Sequence, residues 1–377
     1  MKPSIVVSGV NLVDFGPLSV FRDALQSLVQ HCGSSHEIIA LVHTEALVAV
    51  PGITYLEFPK IKRSWFRRLH FEYVESLKIS KRLQPDVWIA MDNATPRVQC
   101  QRQIVYCHNP SPFYRFRWKE AFIDPKFGLF TLFYRFLYRV FLRRNSAVIV
   151  QQDWIRKAFQ KLYGITNVIV AKPTVDAVEN SLTSSSHVIG DTYRFFFPAL
   201  SRTFKNHELL LESVRLLEHR GIRGFEVILT VNATSNRCGA DLYRRYSTLC
   251  SVRWLGNISR DRVYELYGEV DCLIFPSKLE TWGLPLTEFK TTGKPILAVD
   301  LPYAHETIGS YDRVAFFDVE DAAELSILME DAISGLQSWR TVVADPIPEP
   351  YAKDWAALWE LLICQNSFGV PIVENDR

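Results

Sequence analysis

The sequence predicts an α/β protein made of two doubly wound parallel sheets. Short β-branched or apolar runs alternate with longer stretches of helical periodicity, the pattern of strands joined by crossover helices. The alternation stops once, near residue 180, and then begins afresh. A chain of 377 residues is also too long for one ordinary core.

The elements follow in order. "SIVVSGV" (4–10) reads as a buried strand and "SVFRDALQSLVQHC" (19–32) as a helix. "EIIALVH" (37–43), "DVWIAM" (86–91), "RQIVYCHN" (102–109) and "SAVIVQQ" (146–152) are further strands, the last leading into the helix "DWIRKAFQKLYG". Residues 171–191, "AKPTVDAVENSLTSSSHVIGD", lack periodicity and hold four serines within six positions, which is linker chemistry. Beyond them "YRFFFPAL" (193–200), "FEVILTV" (225–231), "VRWLG" (252–256), "DCLIFPS" (271–277), "PILAVD" (295–300) and "VAFFD" (314–318) are strands. "NHELLLESVRLLEHRG" (206–221) and "SRDRVYELYGEV" are helices between them. The tail "YAKDWAALWELLICQ" (351–365) has helical spacing. The expected division is 1–175, 176–348, and a terminal helix and tail, 349–377, packing back on the first domain.

Composition narrows the class. Seven cysteines, odd in number and without a CxxC pair, argue against a disulfide framework or a zinc site and for a reducing compartment. The apolar run in "MKPSIVVSGVNL" is too short for a signal peptide, so a cytoplasmic protein is expected. The net charge is +2, but residues 60–160 carry 20 Lys/Arg against 7 Asp/Glu. That imbalance points to an anionic partner for the first half.

Ligands of open α/β sheets bind at the carboxyl ends of strands, often at a helix N-terminus that can hold a phosphate. Four stretches sit at such ends. "VNLVDFGPLSV" (10–20) is a loop with Gly16-Pro17 that opens a helix; it is not GxGxxG, and a tight turn is the plain alternative. "CHNPSPFY" (107–114) puts His108 at a strand exit before two prolines, where a core contact would also account for it. "PALSRTFKNHELLL" (198–211) sets Arg202, Lys205 and Asn206 before a helix start. Cations beside a positive helix end make sense if an anion such as a diphosphate fills the gap; a solvated loop is the alternative. In "FPSKLETWGLPLTEFKTTGKPILAV" (275–299) Glu288 lies early in a helix, where the dipole favours it, but nothing local explains Glu280 at the strand's mouth.

That last stretch resembles the signature of retaining GT-B glycosyltransferases of family GT4: a Glu, seven residues, a second Glu, then a helix and a Gly-x-Pro strand start. Glu280 and Glu288 fit, with Gly283, Leu284, Pro285 and Gly293-Lys294-Pro295 in register. "ALSRTFKNHELLLESVRLL" is similar to the family's phosphate-binding segment, and the likeness runs through residues 193–310. The resemblance implies a GT-B fold, two Rossmann-like domains facing a cleft, and a nucleoside-diphosphate sugar as donor. It implies that Arg202 and Lys205 hold the diphosphate and stabilise the leaving group. It places Glu288 on the ribose, Glu280 at the sugar, and Thr281, Trp282, Gly283 and Leu284 around the sugar hydroxyls. Asn206 joins the donor site, Gly16 and Pro17 approach the phosphates or the acceptor, and His108 lies near the transferred sugar. Three positions depart from the pattern. Thr281-Trp282 stands where the family has Gly-Phe or Gly-Tyr, Gly16-Pro17 where it has a glycine pair, and His305-Glu306 where it has Pro-Glu. Proline brings no N–H to a phosphate.

"FGLFTLFYRFLYRVFLRRNS" (127–146) is apolar enough to suggest a membrane span, but Arg135 and Arg139 lie inside it. A central arginine costs about 2.5–3.5 kcal/mol on insertion scales, which argues against spanning. Arg135, Arg139 and Arg143 would form one cationic stripe on a helix. That helix either packs its apolar side in the core or lies at a membrane interface with its arginines towards anionic headgroups. "KIKRSWFRRLHF" (60–71), basic and aromatic, favours the interface.

The expected activity is transfer of a sugar, with retention, to a glycan or lipid-linked glycan during cell-surface polysaccharide or lipopolysaccharide assembly. A peripheral place at the inner face of an anionic cytoplasmic membrane goes with it. No nucleic-acid partner, no cofactor and no metal are expected. A nucleotide-sugar epimerase on the same fold and a non-catalytic glycan- or nucleotide-binding module are the alternatives.

Overall fold

The computed structural model describes residues 2–13, 15–114, 120, 123–172, 192–339 and 345–364. It divides into two compact units. The first comprises Met1–Phe113, Leu132–Thr174 and Ile347–Arg377; the second comprises Tyr114–Thr131 and Val175–Pro346.

Strands β1 (Ser4–Ser8), β2 (Glu37–Val42), β3 (Thr54–Glu57), β4 (Val87–Ala90), β5 (Arg102–Cys107), β6 (Ala147–Val150) and β7 (Val168–Ala171) belong to the first unit. Strands β8 (Tyr193–Phe197), β9 (Phe225–Leu229), β10 (Val252–Trp254), β11 (Cys272–Phe275), β12 (Ile296–Val299) and β13 (Val314–Phe317) form the second sheet, and β14 (Tyr351–Ala352) returns to the first.

The first sheet runs β14-β7-β6-β5-β4-β1-β2-β3, parallel throughout. Its central strands are continuous apolar runs because helices cover both faces. The helix Phe15–Cys32 turns Phe21, Ala24, Leu25, Leu28 and Cys32 into this core. Gly9 permits that approach, since a Cβ there would stand 2.5 Å from the Phe21 ring. The terminal helix Trp355–Trp359 adds Trp355, Leu358 and Trp359 to the same cluster, and Tyr351 and Ala352 pair with β7. Strand order reverses between β1 and β4, which makes the carboxyl ends of those strands the unit's topological switch point.

The second sheet runs β10-β9-β8-β11-β12-β13, also parallel, and its switch point lies between β8 and β11. Phe195, Phe196, Phe197 and Phe275 are fully buried at its centre. Helix starts are set by side-chain caps: Asn236 accepts from Gly239 N–H, Ser259 from Arg262 N–H, and Asp321 from Ala323 and Glu324 N–H.

Three features depart from the sequence expectation. The helix in the basic stretch spans only Pro125–Leu137, and Phe141 beyond it is left-handed (φ 56°). Arg139 and Arg143 therefore lie past the helix end, and the single cationic stripe does not form. Gly16 and Pro17 stand in the first turn of Phe15–Cys32 rather than in a loop; proline is tolerated there because first-turn N–H groups have no helical partner. The linker proper, 173–191, lies outside the described residues.

Candidate functional site

In the second unit the cations predicted at the end of β8 are all engaged by carboxylates. Arg202 to Lys205 form a tight turn, and Asn206 (φ 59°) swings the chain into the helix His207–His219. Lys205 Nζ donates to Glu280 Oε1 at 2.5 Å, which joins the loop after β8 to the loop after β11 across the switch point. The backbone follows, with Lys278 N–H donating to Phe204 O at 2.7 Å. Arg202 Nη1 lies 3.3 Å from Asp124, and Lys278 Nζ lies 2.8 Å from Glu120. Both acids come from the 114–131 segment that groups with this unit. Arg202, half exposed, and the partly exposed Lys205 and Lys278 thus form a cationic set whose carboxylate partners an incoming phosphate could replace.

After β11 the chain turns at Gly283 (φ 79°) into the helix Leu284–Lys290, with Pro285 in its first turn. A left-handed φ at this corner favours glycine. Trp282 is buried; its indole N–H donates to Thr287 Oγ1 at 2.9 Å and its carbonyl accepts from Thr307. Glu280 and Thr281 stand before this turn. The nearby Tyr303 hydroxyl donates to Ser277 O at 2.6 Å, and burial together with the Glu280 charge holds that phenol well above its ordinary range.

Glu288 lies on the short helix and is held on both oxygens. Oε1 accepts from the Tyr264 hydroxyl at 3.0 Å, with Arg260 at 3.4 Å, and Oε2 accepts from the Tyr267 hydroxyl at 3.0 Å. Burial, then the Glu288 charge, holds Tyr267 well above the usual phenol range. The helix that supplies these partners, Arg260–Glu269, also carries Val263 into a cavity of about 180 Å³. Pro198, Ala199, Leu200, Thr230, Asn257 and Ile258 complete its walls, all from the carboxyl ends of β8, β9 and β10. One helix therefore places an apolar slot and a fixed carboxylate on the same side of the sheet. Asn206, expected at the donor, uses its side-chain N–H on Val319 O at 3.0 Å and is buried.

In the first unit His108 leaves β5 and is fixed by Asn93. Asn93 Oδ1 accepts the His108 backbone N–H at 2.6 Å, and Asn93 Nδ2 lies 3.0 Å from His108 Nε2. If Nε2 accepts, Nδ1 carries the proton. Burial, and then the Arg68 charge, pull the imidazole down to about 4, so it is neutral near pH 7. Asn93 follows Asp92 at the end of β4, and Asp92 Oδ1 accepts Asn11 N–H at 3.3 Å across the switch point. Arg68 reaches the same place, donating to Asp92 O at 2.5 Å and to the Tyr134 hydroxyl at 2.7 Å. Glu72 is fully buried there, on a π turn (Phe71–Glu75) that brings Phe71 inside with it. Burial and the Asp92 charge raise Glu72 to about 8; burial raises Asp92 to about 6 despite Arg68. Among the described residues no group of three or more His, Cys, Asp or Glu could hold a metal ion.

Within the second unit the structure brings Lys205 and Glu280 together and pairs Arg202 with Asp124, with Thr281, Trp282, Gly283, Leu284 and Glu288 on the adjoining turn and helix. His108, Gly16 and Pro17 belong to the first unit. Sequence reasoning missed Lys278, Glu120 and Asp124, and the tyrosine pair on Glu288. It also missed Arg68, Glu72, Asp92 and Asn93. Asp92-Asn93 could have been found, since they follow a predicted strand directly; Tyr264 and Tyr267, three apart on one helix face, were a weaker signal.

Residues 184–337 match the family model described as "Glycosyl transferases group 1". That region resembles the group 1 glycosyltransferases, and the chain has the GT-B fold. It is 19% identical over 297 residues to the O-antigen chain mannosyltransferase RfbU of Salmonella typhimurium, covering 70% of this chain and 77% of that protein. In fold it resembles a glycosyltransferase from Rickettsia africae (TM-score 0.61, 16% identity, 89% of each chain). It also resembles HepE of Anabaena, solved with UDP and glucose (TM-score 0.58, 13% identity, 95% of each chain).

Proposed function

We propose that this glycosyltransferase moves a sugar, with retention, from a nucleoside-diphosphate donor to a glycan or lipid-linked glycan during cell-surface polysaccharide or lipopolysaccharide assembly. The observation that carries the reading is the Lys205–Glu280 pair at the second switch point, with Arg202 beside it in the sequence. Arg202 and Lys205 take the donor's diphosphate, Lys278 adds positive charge, and Glu280 turns to the sugar as Lys205 changes partner. Glu288 accepts from the ribose hydroxyls while its tyrosines hold it in place. The cavity walled by Pro198, Ile258 and Val263 receives the flat base.

In the step itself the bond between the sugar C1 and the β-phosphate oxygen breaks as the acceptor hydroxyl oxygen bonds C1 from the same face. The hydroxyl proton passes to the departing diphosphate. Charge grows on that leaving group, where fixed cations contribute most; removing one such contact typically costs 10²–10³ in kcat. These side chains supply the positive charge, so the reading needs no metal. Neutral His108, with Asn93 fixing its ring, serves the transferred sugar from the first unit. A cytoplasmic enzyme, peripheral at the inner face of the membrane, belongs to the same reading, and RfbU, an O-antigen chain enzyme by name, supports its setting.

Thermal unfolding against UDP, GDP, dTDP and ADP tests the donor site. A nucleotide at about 100 times its dissociation constant adds about 2.7 kcal/mol, enough to move the transition by several degrees. One base should stabilise selectively, and Glu288→Ala should remove that shift. No shift with any nucleotide would overturn the assignment of Arg202, Lys205 and Glu288.

A further inference from the structure

One helix of the first unit, and the end of another that lies in it from Leu132 on, expose apolar side chains. On Trp65–His70, Trp65 is 44% and Phe66 85% exposed; on Pro125–Leu137, Leu132 is 67% and Phe136 68% exposed. The segments touch: the Trp65 and Phe133 rings meet edge-to-face at 4.9 Å, and Arg68 ties to Tyr134. Leu132 and Phe136 are four apart and so share a helix face that looks outward, while Tyr134 and Leu137 are buried. A folded protein gains nothing by leaving Phe66 and Phe136 in water, so a contiguous exposed patch marks a surface with a partner.

The surrounding charge says which partner. Residues 60–71 and 132–144 contain no Asp or Glu. Arg63 and Arg67 flank Trp65 and Phe66, and Arg135 and Arg139 flank Phe136, all four exposed. Exposed aromatic side chains with arginines beside them, in segments that carry no carboxylate, suit a surface that is anionic outside and apolar just beneath. Among the described residues no helix is long and apolar enough to cross a membrane, so the contact would lie on the bilayer surface.

We propose that Trp65, Phe66, Leu132 and Phe136 insert into the headgroup boundary of an anionic lipid bilayer, with Arg63, Arg67, Arg135 and Arg139 against the lipid charges. This deepens the peripheral placement proposed above and rests on it for its biological setting. Its physical basis is the surface alone.

The test is co-sedimentation with phosphatidylcholine vesicles, with and without phosphatidylglycerol, alongside the nucleotide melting experiment. The chain should bind only the anionic vesicles and release in high salt. Phe66→Ser with Phe136→Ser should weaken binding by about tenfold or more, and Arg135→Glu by at least about fivefold. The melting temperature and nucleotide shift of these variants should match wild type, since the side chains already face water. Absence of vesicle binding, equal binding to neutral vesicles, or binding unaffected by the variants would each overturn the proposal. So would a wild-type dimer in sedimentation that Phe66→Ser dissolves, or release from vesicles by duplex DNA with tighter binding to the DNA. A nucleotide shift without vesicle binding sinks this surface and leaves the donor reading; vesicle binding without a nucleotide shift does the reverse.

Discussion

The two switch points arise from the same topology but hold charge in opposite ways. At the second, each cation keeps some exposure and has its own carboxylate partner: Arg202 with Asp124, Lys278 with the buried Glu120, Lys205 with Glu280. At the first, Glu72 and Asp92 are 1% exposed and share the positive field of one guanidinium, Arg68. Solvated pairs can exchange partners at small cost, because water compensates each ion as it moves. Buried ones cannot, because an uncompensated ion in the interior costs several kcal/mol. The second site is therefore suited to the anion proposed for it, while the first holds Asn93 and so His108 in place.

The sharpest way to break this comparison is Arg68→Met, which keeps an unbranched stem and removes the charged guanidinium. Loss of the cation whose charge acts on both Asp92 and Glu72 should cost about 3–5 kcal/mol in urea unfolding at neutral pH. The cost should shrink near about pH 5, where Asp92, raised to about 6, takes up a proton and joins Glu72, which holds its own below about pH 8. A loss under about 1 kcal/mol at neutral pH would mean that water already compensates these acids and that the two sites do not differ in kind.

That contrast also sets what the sequence could reveal. Both parallel sheets were legible because a strand buried on two faces must be a continuous apolar run, as in "VVSGV" or "FFFPAL". The half-exposed β3 and the two-residue β14 leave no such run, whereas β7 (VIVA, all buried) has one and was missed beside the linker. At the second site Arg202, Lys205, Glu280 and Glu288 were legible because each lies next to a strand end or helix start. Their partners Glu120, Asp124, Tyr264 and Tyr267 were not, since long-range pairing brings them there. At the first site Glu72 was hidden for a different reason. Only the π turn, which no periodicity rule anticipates, carries it inside with Phe71.

A smaller effect in free energy, and the sharper one for mechanism, is expected from Lys205→Ala. With Lys205 as a leaving-group contact, kcat should fall by about 10²–10³, or roughly 2.7–4 kcal/mol of barrier, with a much smaller change in acceptor KM. Urea unfolding should change less than for Arg68→Met, because both members of this pair keep contact with water (19% and 15% exposed). Equal losses in kcat and in acceptor binding would remove Lys205 from the leaving group. A stability loss as large as that of Arg68→Met would erase the distinction between the two sites.

The smallest effect separates the units by pH. Glu72 is raised to about 8 from an unfolded value near 4.5, so the folded chain holds a proton that the unfolded chain has lost. The stability this gives is fully present below the unfolded value and is lost as pH rises through about 8. His108 runs the other way: lowered to about 4, it contributes stability that is lost as pH falls from about 6.5 towards 4. Between about pH 7 and 9 only the Glu72 effect operates of these two, and it should remove about 1 kcal/mol. Glu72→Gln copies the protonated carboxyl, so its melting temperature should stay flatter across that range while wild type declines. Parallel declines would mean that Glu72 is ionised in the folded chain, with Arg68 compensating it as fully as carboxylates compensate the cations at the second site.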